Sequence, residues 1–203
     1  MTALAHLQSY ELSIPDTWAS IPVTTAEPGW AQEAAVQLCD GEQERADLAA
    51  ALERSHPDMV ANQPDALWVW VPDRTVPNWS GMMTMTWLTP DNTWRLDRAT
   101  YRELIEPDHR SGVSAMERVI ADVDLPAGDA LLVREIVERS ESTMLPWRKA
   151  LQENVIYALF PAGSFDALQF MFSTMALHLG DVLADDAAAV LKSVRVTLDE
   201  VPE

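Results

Sequence analysis

Lysine is almost missing from this 203-residue chain: Lys149 and Lys192 stand against a dozen Arg and 32 acidic residues, for a formal net charge of −18. No cluster of Lys and Arg is available to neutralise a row of phosphates, which excludes a broad nucleic-acid interface and disfavours anionic membranes. The acid excess favours solubility and names no partner by itself. With abundant Ala, Asp and Val, the use of Arg over Lys points to a GC-rich genome such as an actinobacterium's, with a salt-adapted cytosol as the second origin.

Cysteine occurs once, at Cys39, so no internal disulfide can form. Cys39 lies in an apolar periodic segment and is expected as a buried, inert thiol. The four His, at 6, 56, 109 and 178, have no spacing that would put two on one helix face, so no metal site is expected. None of the seven Gly belongs to a Gly-rich loop followed by Lys, and no Ser sits in a nucleophile elbow. No cofactor is expected. No run approaches the roughly 18 apolar residues of a membrane span. The opening "MTALAHLQSY" has neither the basic-then-apolar pattern of a signal peptide nor a lipidation Cys, so a cytoplasmic location without membrane insertion is expected.

What the chain has is apolar mass: 48% apolar residues and eight Trp, enough to offset the ordering entropy of a packed domain. Its length suits one domain over residues 1–203. Tyr10, Leu12 and Ile14 alternate as a first strand, and a linker "DTWASIPVTTAE" follows. Trp30, Ala34 and Leu38 repeat at helical spacing after Pro28, which suits a first helical turn. Leu48 and Leu52 mark a second helix, with Asp40 and Gln43 spaced as an acidic cap and its return partner. "ALWVWV" and "MMTMTWL" read as antiparallel strands across a loop. Between Asp97 and Val119, "DRATYRELI" and "SAMERVI" read as short helices. "DLPAGDALLVREIVER" is a turn and then a strand; "VIYALF" and "LQFMFS" form a hairpin closed by "PAGSFD". Leu179, Leu183, Ala187, Val190 and Val194 make a final helical stripe. The pattern is α+β, with helices on a mainly antiparallel sheet and a C-terminal β-hairpin followed by a long helix.

"VDLPAGDALLVRE", "VIYALFPAGSFDALQFMFST" and the terminal helix resemble actinobacterial proteins of the PsbP-like fold, a group similar to the Ran-binding Mog protein and to the DcrB and LpqN groups. "YELSIPDTW" also suits it. The resemblance implies an α/β/α sandwich, and binding or accessory roles with no shared catalytic motif. The chain departs from the LpqN group in lacking a lipoprotein signal, and from all of them in the Trp- and Met-rich "WVWVPDRTVPNWSGMMTMTW".

That stretch has two readings. Trp68, Trp70, Met83 and Met85 fit the alternation of a core hairpin. Trp and Met also suit a contact surface, making Trp70, Trp79, Met83, Met85 and Trp94 the candidate partner-binding residues. The leading expectation is a non-enzymatic cytoplasmic binding or accessory protein for a protein partner, a homodimer included. A narrower version follows the Eag chaperones, which shield hydrophobic helices of secreted effectors; it requires an exposed apolar groove at Trp70, Met83 or Met85. The enzymatic alternative is a small hydrolase or transferase using His109, from the polar "EPDHRS", with a distant carboxylate. Asp185 and Asp186 diverge by about 100° on a helix and form no dyad.

Overall fold

The computed structural model describes residues 4–24, 27–90, 95–106, 113–140 and 149–199. In chain order the elements are β1 (Leu7–Glu11), β2 (Trp18–Ile21), α1 (Trp30–Leu38), α2 (Glu42–Met59), β3 (Ala66–Trp70), β4 (Gly81–Leu88), α3 (Arg98–Ile105), β5 (Val113–Leu125), β6 (Gly128–Ser140), β7 (Lys149–Pro161), β8 (Ala167–Thr174), a 3₁₀ turn (Leu177–Leu179), α4 (Gly180–Ser193) and β9 (Arg195–Leu198). Seven strands follow the order β2-β3-β4-β8-β7-β6-β5 in a mainly antiparallel sheet, and β1 pairs with β9. The expected α+β class and the terminal hairpin and helix are borne out. The chain divides into two compact units, Ile14–Thr86 and a second made of Met1–Ser13 with Trp87–Glu203.

In the unit Ile14–Thr86, strand alternation gives β3 two apolar faces. Leu67 and Val69 pack with Ala31, Ala35 and Leu38 of α1 and with Leu48 and Leu52 of α2. On the other face Trp70 stacks on its cross-strand partner Trp18, with ring centroids 5.7 Å apart, a pair worth about 1 kcal/mol beyond its buried area. Three local expectations change. The segment expected as a linker contains β2. The Asp40 cap is not formed: α2 starts after Gly41 with no side-chain cap, and the Asp40 carboxylate instead accepts from Arg74 Nε at 2.8 Å. Similarly, α1 begins two residues after Pro28, behind Gly29 at φ +94°, a conformation open to a residue without Cβ. Cys39 is buried, and burial pushes its thiol pKa up, which keeps it protonated and inert.

The second unit is built on the meander β5-β6-β7-β8, three strands of which run 13 residues. The segment "SAMERVI", expected as a helix, belongs to β5. Tyr101 of α3 packs with Leu131 and Ala158. Arg134 and Glu153, which face the opposite way by register and alternation, meet α4 at Asp181 and Gly180. Helices α3 and α4 therefore cover opposite faces of these strands. Helix α3 starts on the one side-chain cap seen in the described helices of this unit, with Asp97 accepting from Thr100 N at 2.9 Å, and that bond holds the Asp97 pKa below its ordinary value. The terminal helix ends at Ser193, and Arg195–Leu198, which follow it, pair as β9 with β1.

Tyr101 gives this unit an alkaline limit. Its hydroxyl donates to Gln169 Oε1 at 2.5 Å, and burial pushes its pKa up to about 12. The folded state thus holds the phenolic proton more tightly than the unfolded chain does. That contribution is complete below pH 10 and is lost as pH rises from 10 towards 12. Between pH 9 and 11.5 the loss amounts to about 2 kcal/mol. Denaturant titrations at those two pH values should show a fall in wild type that is smaller by about that amount in Tyr101→Phe.

Candidate functional site

The Trp- and Met-rich hairpin is interior. Trp70, Met83 and Met85 are at most 1% exposed, because alternation turns all three onto one covered face of β3 and β4. As partner-contacting residues they are corrected, and the exposed groove that the Eag-like version needs at these positions is not there. Trp79 is half-buried and packs on the helix-facing core of its unit. Trp94 and the His109 loop lie outside the described residues.

Two other polar arrangements connect distant parts of the second unit. His6 Nδ1 lies 3.2 Å from both oxygens of Asp166, and the same carboxylate accepts from Leu7 N at 2.7 Å. This resembles the orienting half of a catalytic triad. The neighbouring Ser164 is buried, however, with its Oγ accepting from Asp166 N, so the arrangement latches the start of β1 to the β7–β8 loop. The second arrangement is a buried polar row on the α3 side of the sheet. Gln152 Nε2 donates to Asn154 Oδ1 at 2.6 Å, and Asn154 Nδ2 donates to Glu135 Oε1 at 3.1 Å. Glu135 Oε2 lies 3.4 Å from Arg118 Nε. Arg118 in turn caps α3 by donating from Nη1 to Ile105 O at 2.8 Å. Arg118 Nε is buried without a hydrogen bond and faces Glu135 as an ion pair only; the amide and carboxylate groups of the row are enclosed, so they specify register more than they recognise anything.

The opposite face has an opening. A cleft of about 550 Å³ is floored by Glu117 and Val119 of β5, Arg134 and Ile136 of β6 and Glu153 of β7, and walled by Leu177, His178 and Asp181 at the start of α4. Its centre is an ion-paired cation. Arg134 donates from Nε to Glu153 Oε1 at 2.6 Å and from Nη2 to Asp181 Oδ1 at 2.7 Å, and the two bonds, that to Asp181 foremost, raise its already high pKa. Glu153 is buried against the first turn of α4, where a Cβ on residue 180 would overlap its carboxylate. Gly180 lets that carboxylate reach the end of the helix where the macrodipole favours an anion. Around this charged centre lie exposed apolar groups: Val119 is 56% exposed, with Leu177 and Val182 also open.

With this geometry in place, comparison with known proteins decides the fold. No protein-family model and no curated protein sequence matches the chain. The crystal structure of LpqN, involved in cell envelope biogenesis of Mycobacterium tuberculosis, superposes with a TM-score of 0.50 at 12% identity, over 93% of this chain and 83% of that one. The fold is similar to that of LpqN. The solution structure of cyanobacterial PsbP (CyanoP) from Synechocystis sp. PCC 6803 gives 0.47 at 12% identity, over 97% of this chain and 94% of that one. LpqN supports the PsbP-like fold read from the sequence; the likeness to the Mog and DcrB groups and the actinobacterial origin gain nothing from either structure.

Chemically the cleft suits binding. Its one strong cation is held by two carboxylates, and His178 stands exposed on the wall. Among the described residues no three His, Cys, Asp or Glu side chains converge as a metal site, and no described helix is long and apolar enough to cross a membrane. Sequence reading passed over the cleft because its residues come from four separated segments. The available signal was in "VREIVE", where the charged Arg134 and Glu138 fall with Ile136 on one strand face.

Proposed function

We propose that the chain is a non-enzymatic binding or accessory protein that docks a protein partner in the cleft over β5 and β6. One observation carries this reading: the exposed Val119 and half-buried Ile136 lie on a sheet face that α4 leaves open, beside an ion-paired Arg134. Exposed apolar groups set around a fixed charged centre offer a partner both surface to bury and polar groups to match. The paired state of Arg134 supports binding over turnover, since a guanidinium held protonated by two carboxylates does not act as a general acid or base.

The partner class includes a second copy of this chain. The proposed compartment is the cytoplasm, where a lone buried thiol stays reduced. Involvement in cell envelope biogenesis is said of LpqN, and 12% identity carries it no further. The test is affinity capture from host extract with wild type and Val119→Asp side by side. A charge at this exposed position should leave the unfolding midpoint nearly unchanged and reduce recovery of the specific partner at least tenfold. Equal recovery by both baits would refute the cleft as the docking site.

A further inference from the structure

We infer that the partner segment seated in this cleft is a cationic amphipathic helix, an inference that rests on the docking role proposed above. Three observations lead to it. The first is width. Helix α4 packs on β7 and β8, leaving the lane over β5 and β6, and two strands at about 4.8 Å spacing present a strip about 10 Å wide, the diameter of one α-helix. A helix laid there would continue the layer that α4 begins.

The second is the floor. Register and alternation put Val119, Ala121 and Val123 of β5 on the same face as Leu132 and Ile136 of β6, and all five are half-buried or exposed. This is an apolar strip two strands wide, suited to a helix with apolar residues at i, i+3, i+4 and i+7.

The third is charge. The end of the lane nearest α4 carries the carboxylates of Glu117, Glu153 and Asp181 against one guanidinium, that of Arg134, so three negative charges less one positive leave an excess of two negative. An incoming Lys or Arg meets exposed Asp181 and Glu117, whereas an acidic segment meets repulsion from both. The chain's net charge of −18 acts in the same direction at long range and speeds encounter with a basic segment. Strand addition at β5 is opposed by the bulge between Ala115 and Glu117, the kind of irregularity that protects exposed sheet edges.

The experiment uses the full chain and two labelled 18-residue peptides with the same Leu stripe at helical spacing, one with Lys and one with Glu on its polar face, followed by fluorescence anisotropy. The Lys peptide should bind at least tenfold more tightly than the Glu peptide and weaken severalfold between 50 and 500 mM salt. Val119→Asp should weaken it severalfold although that substitution adds a negative charge, and Glu117→Lys should weaken it by a similar factor. Binding that Val119→Asp leaves unchanged or strengthens would mean attraction to net charge alone, and would overturn the inference. Equal or tighter binding of the Glu peptide would overturn the cationic assignment while leaving the docking site intact if Val119→Asp still weakens it. Failure of both peptides to bind would overturn the helix assignment; the docking site itself falls only if partner capture ignores Val119→Asp.

Discussion

Glu135→Ala should lower the unfolding free energy by roughly 3–5 kcal/mol, the usual cost of removing one partner from a buried ion pair. The Glu135 side chain has no exposure and Arg118 has 17%, so the guanidinium left behind has little water to turn to. Asn154 loses the acceptor for its Nδ2 at the same time. The value should be largely recovered in the double substitution Glu135→Leu with Arg118→Met, because two apolar side chains of similar volume leave no unpaired charge. Chemical denaturation of Glu135→Leu, of Arg118→Met and of the double variant measures the coupling directly. A loss under about 1 kcal/mol for Glu135→Ala would show that the polar row is open to solvent.

Gly128→Ala should be nearly as damaging, by roughly 3 kcal/mol. Gly128 begins β6 at φ +149°, where a residue with Cβ is strained, and its strand partner Pro161 is close enough that the added methyl would stand 2.9 Å from the Pro161 Cα and 2.5 Å from the Phe160 carbonyl oxygen. Backbone, unlike a flexible side chain, cannot turn aside. For a chain of this length the melting temperature should fall by about 6–12 °C. Gly29→Ala makes a useful contrast: its φ is also positive, yet nothing lies within 4 Å of the added atom, so only the conformational part of the penalty applies.

The parts of the fold legible in the sequence are those where one period runs unbroken. Val155, Tyr157 and Leu159 alternate with Ile156, Ala158 and Phe160 through β7, and Leu183, Ala187 and Val190 repeat through α4, so both elements could be placed from pattern alone. Strand β5 could not. Its bulge between Ala115 and Glu117 interrupts the two-residue period, and Met116, Val119 and Ile120 then fall at i, i+3 and i+4, which imitates a helix. Strand β2 hid for a different reason: it is four residues long, with Trp18, Ala19 and Ile21 all buried, so it offers no alternation to detect.

The site was less legible than the fold. Trp and Met are favoured both in cores and in contact surfaces, so the composition of "WVWVPDRTVPNWSGMMTMTW" could not separate the two; burial of Trp70, Met83 and Met85 does. The cleft is signalled by no residue of unusual type. It arises because β5 and β6 extend beside α4, and because Gly180 admits Glu153 to the helix end, where it holds Arg134. Such a site depends on which strands are neighbours, which only pairing reveals.

The central claim is that this open sheet face is where the partner sits, and the most direct measurement is photo-crosslinking in host cells from a photoreactive residue at position 119, with position 104 as control. Leu104 is as exposed as Val119, at 60% against 56%, but lies on α3, across the sheet. The account predicts one specific adduct from position 119 and none from 104. A specific adduct from 104 with none from 119, or the same adducts from both, would contradict it.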